Sequence, residues 1–194
     1  NEGATINLAN NAIADLSGGK LELAGSHILD GITTDNNTTL QINSSGSVSR
    51  SGNGTSTVGN LVLSQLGSSS GVSFGVDNMS LTVGGTSPQF NDADITLNNA
   101  NLKFQSSPTF DNGSSVNVIN GELILQSGVT VNDSSLNFTS STFKPSGTVS
   151  LTNNGSLVFD QASSVKLEGA TTLSQSGAVS WPSLDLNGKA FTLG

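Results

Sequence analysis

Along this chain an apolar doublet, two apolar residues separated by one other, returns at a nearly constant spacing. Its first member falls at Leu40, Leu61, Leu81, Leu102 and Leu123 in one series, and at Ile95, Val116, Leu136, Leu157 and Val179 in a second. A third and looser series runs Val129, Val149, Thr171 and Phe191, with only the second apolar member kept at Thr171-Thr172-Leu173. Successive members are 20 to 22 residues apart. Self-similarity at that period is the mark of a solenoid.

The three series interleave, so one period holds three short strands separated by polar turns. The segments opening at Phe90, Phe110, Val131 and Leu151 each start with an apolar residue, pass through a cluster of Asn, Asp, Gly and Ser, and re-enter a strand. Glycine permits positive φ, and Asn and Asp tolerate the left-handed region, so these clusters read as turns. Ile95-Thr96-Leu97, Leu102-Lys103-Phe104 and Leu136-Asn137-Phe138 alternate with period two, which puts the apolar pair on one face. No stretch holds an apolar pattern at helical spacing.

The pattern predicts an all-β, right-handed parallel β-helix (a β-solenoid) of about nine coils, on the order of 40 Å long at roughly 4.8 Å per coil. Right-handedness follows from the strong preference of parallel crossovers for that hand. Residues 1–194 read as a single domain, with 1–37 the least regular coils. Stacking predicts a core column of Leu97, Val118, Phe138, Phe159 and Trp181, and a polar ladder at one turn of Asp92, Asn112, Asp133 and Asn153. Stacked amides can bond along the axis, as they do in cross-β assemblies.

Composition narrows the functional classes. Only 10% of residues are charged, against about 25% in ordinary soluble domains, so solubility rests on Ser, Thr and Asn. The net charge of −8 argues against nucleic acid. The six bases, Lys20, Arg50, Lys103, Lys144, Lys166 and Lys189, are scattered along the sequence. With no cysteine there is no disulfide framework. No apolar run is long enough to span a bilayer as a helix. A start at Asn1 without an initiator Met, and an end directly after a strand, suggest a segment of a longer protein.

Candidate chemistry is thin. His27, with Asp30 nearby, is the only histidine and reads as a surface residue without catalytic duty, since no nucleophile motif accompanies it. Asp92 and Asp94 form a close carboxylate pair, expected on one strand face, and paired acids are what glycoside hydrolysis uses. They read first as part of the turn ladder. A calcium site would draw on Asp92, Asp111 and Asp133. Trp181 shares the inward parity of Val179, which favours core packing over sugar stacking. No residue set calls for a cofactor, and no catalytic set is assigned.

The segments 147–159 and 183–193 resemble the passenger repeats of bacterial surface and secreted adhesins of the autotransporter and filamentous-haemagglutinin type. That resemblance implies a non-enzymatic structural or adhesive segment, extracellular or on the cell surface, with roles in cell adhesion and biofilm formation. Its partners would be a surface glycan or protein of a host or neighbouring cell, or another copy of the chain. The alternative is a carbohydrate-binding or carbohydrate-active β-helix, as in tail fibres or polysaccharide lyases. The pectin-degrading β-helix enzymes need Asp clusters with partner His or Arg, and Arg50, the only arginine, has no acidic neighbour in sequence.

Overall fold

The alternation of apolar and polar residues becomes a stack of parallel strands in the computed structural model. The structure describes residues 74–175 with their side chains, Met79 and Ser87 excepted, and outside that span only the backbone of particular strands. The fold is an all-β parallel solenoid of about five turns in the described part, with three sheets and no helix among the described residues.

Each sheet gathers one strand from each turn. The first holds Val72–Asp77, Ala93–Asn98, Ser115–Ile119, Ser135–Thr139 and Ser156–Phe159. The second runs from Thr55–Val58 through Ser80–Val83, Asn101–Phe104, Glu122–Leu125, Thr142–Lys144 and Ser164–Lys166 to Leu184–Asp185. The third includes Gln89–Asn91, Thr109–Asp111, Gly128–Asn132, Gly147–Thr152 and Thr171–Gln175 and is continued by paired strands on either side. All pairings between neighbouring strands among the described residues are parallel, for example Ile95 with Val116, Val116 with Leu136, and Leu136 with Leu157.

Burial follows the alternation. Asn101–Phe104 and Glu122–Leu125 bury every second residue and leave the others partly exposed. Stacking then converts the alternation into inward columns. Phe90 and Phe110 stack with centroids 4.7 Å apart, and Phe104 meets both edge-on. Two turns further, Phe138 and Phe159 stack at 4.6 Å with Phe143 tilted against them. Each fully buried ring contributes roughly 2–3 kcal/mol through removal of apolar surface from water, and the pair geometry adds about 0.5–1.5 kcal/mol.

The corners explain how a short chain turns so sharply. At one corner Asp92, Asn112, Asp133 and Asn153 all have positive φ, between 46° and 52°. At another Asn78, Asn99, Asn120 and Ser140 do the same, between 49° and 53°. Asx side chains tolerate this conformation, which Cβ-branched residues resist. Small buried residues follow: Ala93, Ser114 and Ser134 at the first corner, Ala100 and Ser141 at the second. There is little room at these positions. A Cβ on Gly121 would sit 2.1 Å from the Ala100 carbonyl oxygen, and one on Gly155 would sit 2.1 Å from that of Val131.

The structure corrects three expectations from spacing. The first apolar series does not form one column: Leu40 and Leu61 pair within the third sheet, whereas Leu81, Leu102 and Leu123 pair within the second. Leu63 pairs with Phe90 and Ser56 with Leu81, so the turn spanning the Gly67–Gly71 segment is longer than its neighbours. In the third series, Val149 pairs with Leu173, and Thr171 with Gly147. Asp92 and Asp94 do not share a strand face. Asp92 is a corner residue with φ of 52°, and the strand begins after it at Ala93.

Corner crowding gives a test. Gly121→Ala drives a Cβ into backbone, so a loss of at least the roughly 1–3 kcal/mol typical of overpacking is expected. Gly113→Ala meets nothing within 4 Å and suffers only from its φ of +83°, for which about 1 kcal/mol is expected. Urea denaturation of the two variants checks the order, and equal losses would show that corner packing is not the constraint.

Candidate functional site

The four described members of the expected core column lie together. Leu97, Val118, Phe138 and Phe159 are buried and paired in succession, and Val76 extends the column below Leu97. Trp181, the fifth, lies outside the described residues, as do Asp30 and Val179. His27 falls in a strand paired to Val48, outside the residues whose side chains are described.

Asp92, Asn112, Asp133 and Asn153 occupy equivalent corner positions, but the hydrogen bonds along the axis do not run from one to the next. Most run to the residue that precedes each corner, and one runs from Asn154 to the corner residue Asp133. Asn112 Nδ2 donates to Asn91 Oδ1 at 2.9 Å, and Asn153 Nδ2 donates to Asn132 Oδ1. Asn132 Nδ2 donates to Asp111 Oδ1 at 2.6 Å, and Thr152 Oγ1 to Asn132 Oδ1 at 2.9 Å. The neighbouring column Asn91, Asp111 and Asn132, with Thr152 donating to its last member, is therefore the acceptor rail, which sequence reading missed by one residue. A further amide bond, Asn137 Nδ2 to Asn117 Oδ1 at 3.1 Å, lies on the outer face of the first sheet.

Asp111 and Asp133 at this corner, and Asp94 in the strand beyond it, serve as acceptors. Asp111 Oδ1 also receives the Asn112 N–H at 2.8 Å, Asp133 Oδ1 receives Asn154 Nδ2 at 3.0 Å, and Asp94 Oδ1 receives the Ser115 hydroxyl at 2.6 Å. Among the described residues no group of three or more His, Cys, Asp or Glu is placed to hold a metal ion.

Asp160 is the most heavily used acid. The Ser163 hydroxyl donates to it at 2.5 Å, and the backbone N–H groups of Ser140 and Ala162 donate at 3.1 and 3.2 Å. In the turns below, the corresponding N–H groups of Asn99 and Asn120 bond to the carbonyls of Ile119 and Thr139. Asp160 thus stands in for a backbone acceptor at the second corner. The Ser163 hydrogen bond foremost, then those from Ser140 and Ala162, hold its carboxyl below the ordinary value of 3.8, against an opposing effect of partial burial.

The second sheet carries an outer column that reading along the chain obscured. Lys103 pairs with Ile124, and Ile124 with Lys144. The register of Thr142 with Ser164 and Phe143 with Val165 brings Lys166 beside Lys144. Three of the six bases, expected to be scattered, therefore share one stripe. Lys144 Nζ contacts Glu122 Oε1 at 2.7 Å, a partly exposed pair worth about 0–1 kcal/mol. Beside the stripe is a groove of about 330 Å³ lined by Lys103, Ile124, Gln126, Ser146 and Glu168. The missed signal was the register itself: lysines 41 and 22 residues apart become neighbours only once turns of unequal length are aligned.

Two outcomes test these assignments. The folded pKa of Asp160 is depressed, so its stabilising contribution is complete above the unfolded value near 4 and is lost as pH falls through the lower folded value. Acid unfolding of Asp160→Asn followed by circular dichroism should lack that component, and a wild-type acid limb would refute the assignment. If the Asx corner is a ladder, millimolar calcium leaves the melting temperature unchanged. A rise of several degrees would reveal a native-state ligand.

No protein-family model, curated protein or solved structure matches this chain, and what bears on its function is the geometry of these columns.

Proposed function

We propose that the chain is a non-enzymatic structural and adhesive segment of an extracellular bacterial surface protein, acting in attachment or self-association. In this reading the solenoid is right-handed and continues through about nine coils of three short strands each. The observation that carries it is the use of the acids. The carboxylates of Asp94, Asp111, Asp133 and Asp160 accept hydrogen bonds from adjacent turns or from their own turn. A general acid needs a raised pKa and room beside it for substrate, whereas Asp160 is shifted downward by fixed donors.

An adhesive rod needs stiffness and a repeated polar surface. Stiffness comes from the parallel ladders and stacked rings. The repeated surface comes from outer columns such as Thr96, Asn117 and Asn137 on the first sheet, where each contact with a partner is weak and many act together. Self-association draws on the same flanks and on the edges of terminal strands.

The reading predicts no turnover. Incubation with neutral and acidic polysaccharides should release no new reducing ends or unsaturated products. Sedimentation equilibrium should show weak, concentration-dependent association. Polysaccharide cleavage abolished by Asp92→Asn and Asp94→Asn would overturn the non-enzymatic assignment.

A further inference from the structure

We propose that the column of Lys103, Ile124, Lys144 and Lys166, with the groove beside it, docks an extended polysaccharide carrying carboxylates, laid along the stacking axis. This names a partner class within the attachment reading and rests on it. In a chain of net charge −8, three of the six bases stand at one offset in separate turns of a single sheet. Turns repeat at roughly 4.8 Å, so Lys103 and Lys144, two turns apart, are separated by about 10 Å along the axis. An extended pyranose unit advances by about one turn, so anionic groups on such a chain can meet successive members of the column.

The surroundings favour a sugar polymer over other polyanions. Ile124 gives the groove an apolar floor for the C–H face of a ring, and Gln126, Ser146 and Glu168 offer donors and acceptors to its hydroxyls. Glu168 is exposed, and Glu122 is engaged by Lys144. No ion pair to a described residue joins Lys103 or Lys166. Two glutamates, together with Asp185 set in register beside Lys166, repel a densely charged polyphosphate, while a chain with one carboxylate per ring can place its charges on the lysines and its hydroxyls on the acids. All seven described Phe side chains are buried, so none is presented outward on which a nucleic-acid base would stack.

The test uses two triple variants of equal charge. One is Lys103→Gln, Lys144→Gln and Lys166→Gln. The other is Lys20→Gln, Arg50→Gln and Lys189→Gln, which removes the remaining three bases. Fluorescently labelled alginate is the probe, with neutral dextran and a single-stranded thymidine oligomer as comparisons, and binding is read by anisotropy at low and physiological salt. The wild type should bind alginate over both comparisons and weaken as salt rises. The column variant should bind about tenfold more weakly or worse, with the other triple variant close to wild type. Ile124→Lys, which completes the column, should tighten binding severalfold and keeps the proposal testable if the column variant misfolds. Equal losses in the two triple variants, preference for the oligomer, or no binding of alginate by wild type or Ile124→Lys would overturn it. Alginate bound at the column and also depolymerised would overturn the non-enzymatic reading and leave the docking surface standing.

Discussion

Everything in this molecule depends on parallel hydrogen bonding between one turn and the next in fixed register. That register demands that each corner reverse the chain in very few residues. At two of the three corners, residues in the left-handed region, all Asx except Ser140, supply the reversal, and small residues beside them allow backbone to approach backbone. Gly121 and Gly155 lie so close to the carbonyls of Ala100 and Val131 that even a methyl group cannot be accommodated without movement. Once the corners are fixed, side-chain alternation sorts the rest into inward apolar columns and outward polar ones. The stacked rings of Phe90 with Phe110, and Phe138 with Phe159, follow from this geometry as much as they reinforce it.

The class of fold was legible in the sequence because both its periods are local and repetitive. Alternation by two marks the strands, and recurrence at 20 to 22 residues marks the turns of the solenoid. Register was less legible, because an apolar doublet looks the same on any of the three sheets. Leu61 and Leu81 are 20 residues apart and yet belong to different sheets, because the intervening turn is longer. Asp92 and Asp94 were misplaced for a related reason: parity holds inside a strand and fails across a residue of positive φ. The acceptor rail of Asn91, Asp111 and Asn132 lay one residue from the expected ladder because the corner turns each side chain toward a diagonal partner, which column counting does not capture.

The same register makes an outer surface that is periodic in one dimension. A pocket for a small molecule is a concavity with convergent polar groups, built once. A column of outward side chains is a different object, offering similar groups at regular intervals with nothing to enclose a compact ligand. Its natural complement is another linear array. The Lys103–Lys166 stripe has this character, and the groove beside Ile124 adds shape to it at one point.

Stability and recognition are also divided between faces in a physically consistent way. At the Asx corner Asp111 and Asp133 accept hydrogen bonds from neighbouring turns, so their charge is spent on holding the stack together. On the second sheet the lysine column is bonded through its backbone alone, apart from the Lys144–Glu122 pair, and its ammonium groups are not needed to close a corner. Removing a corner acceptor such as Asp160 therefore perturbs the fold, because it takes the place of a backbone carbonyl. Removing a lysine head group leaves the ladder untouched and changes only what the surface can attract. Groups that the fold does not require are the ones free to carry specificity, and on this chain the largest concentration of such positive charge among the described residues lies on that one face.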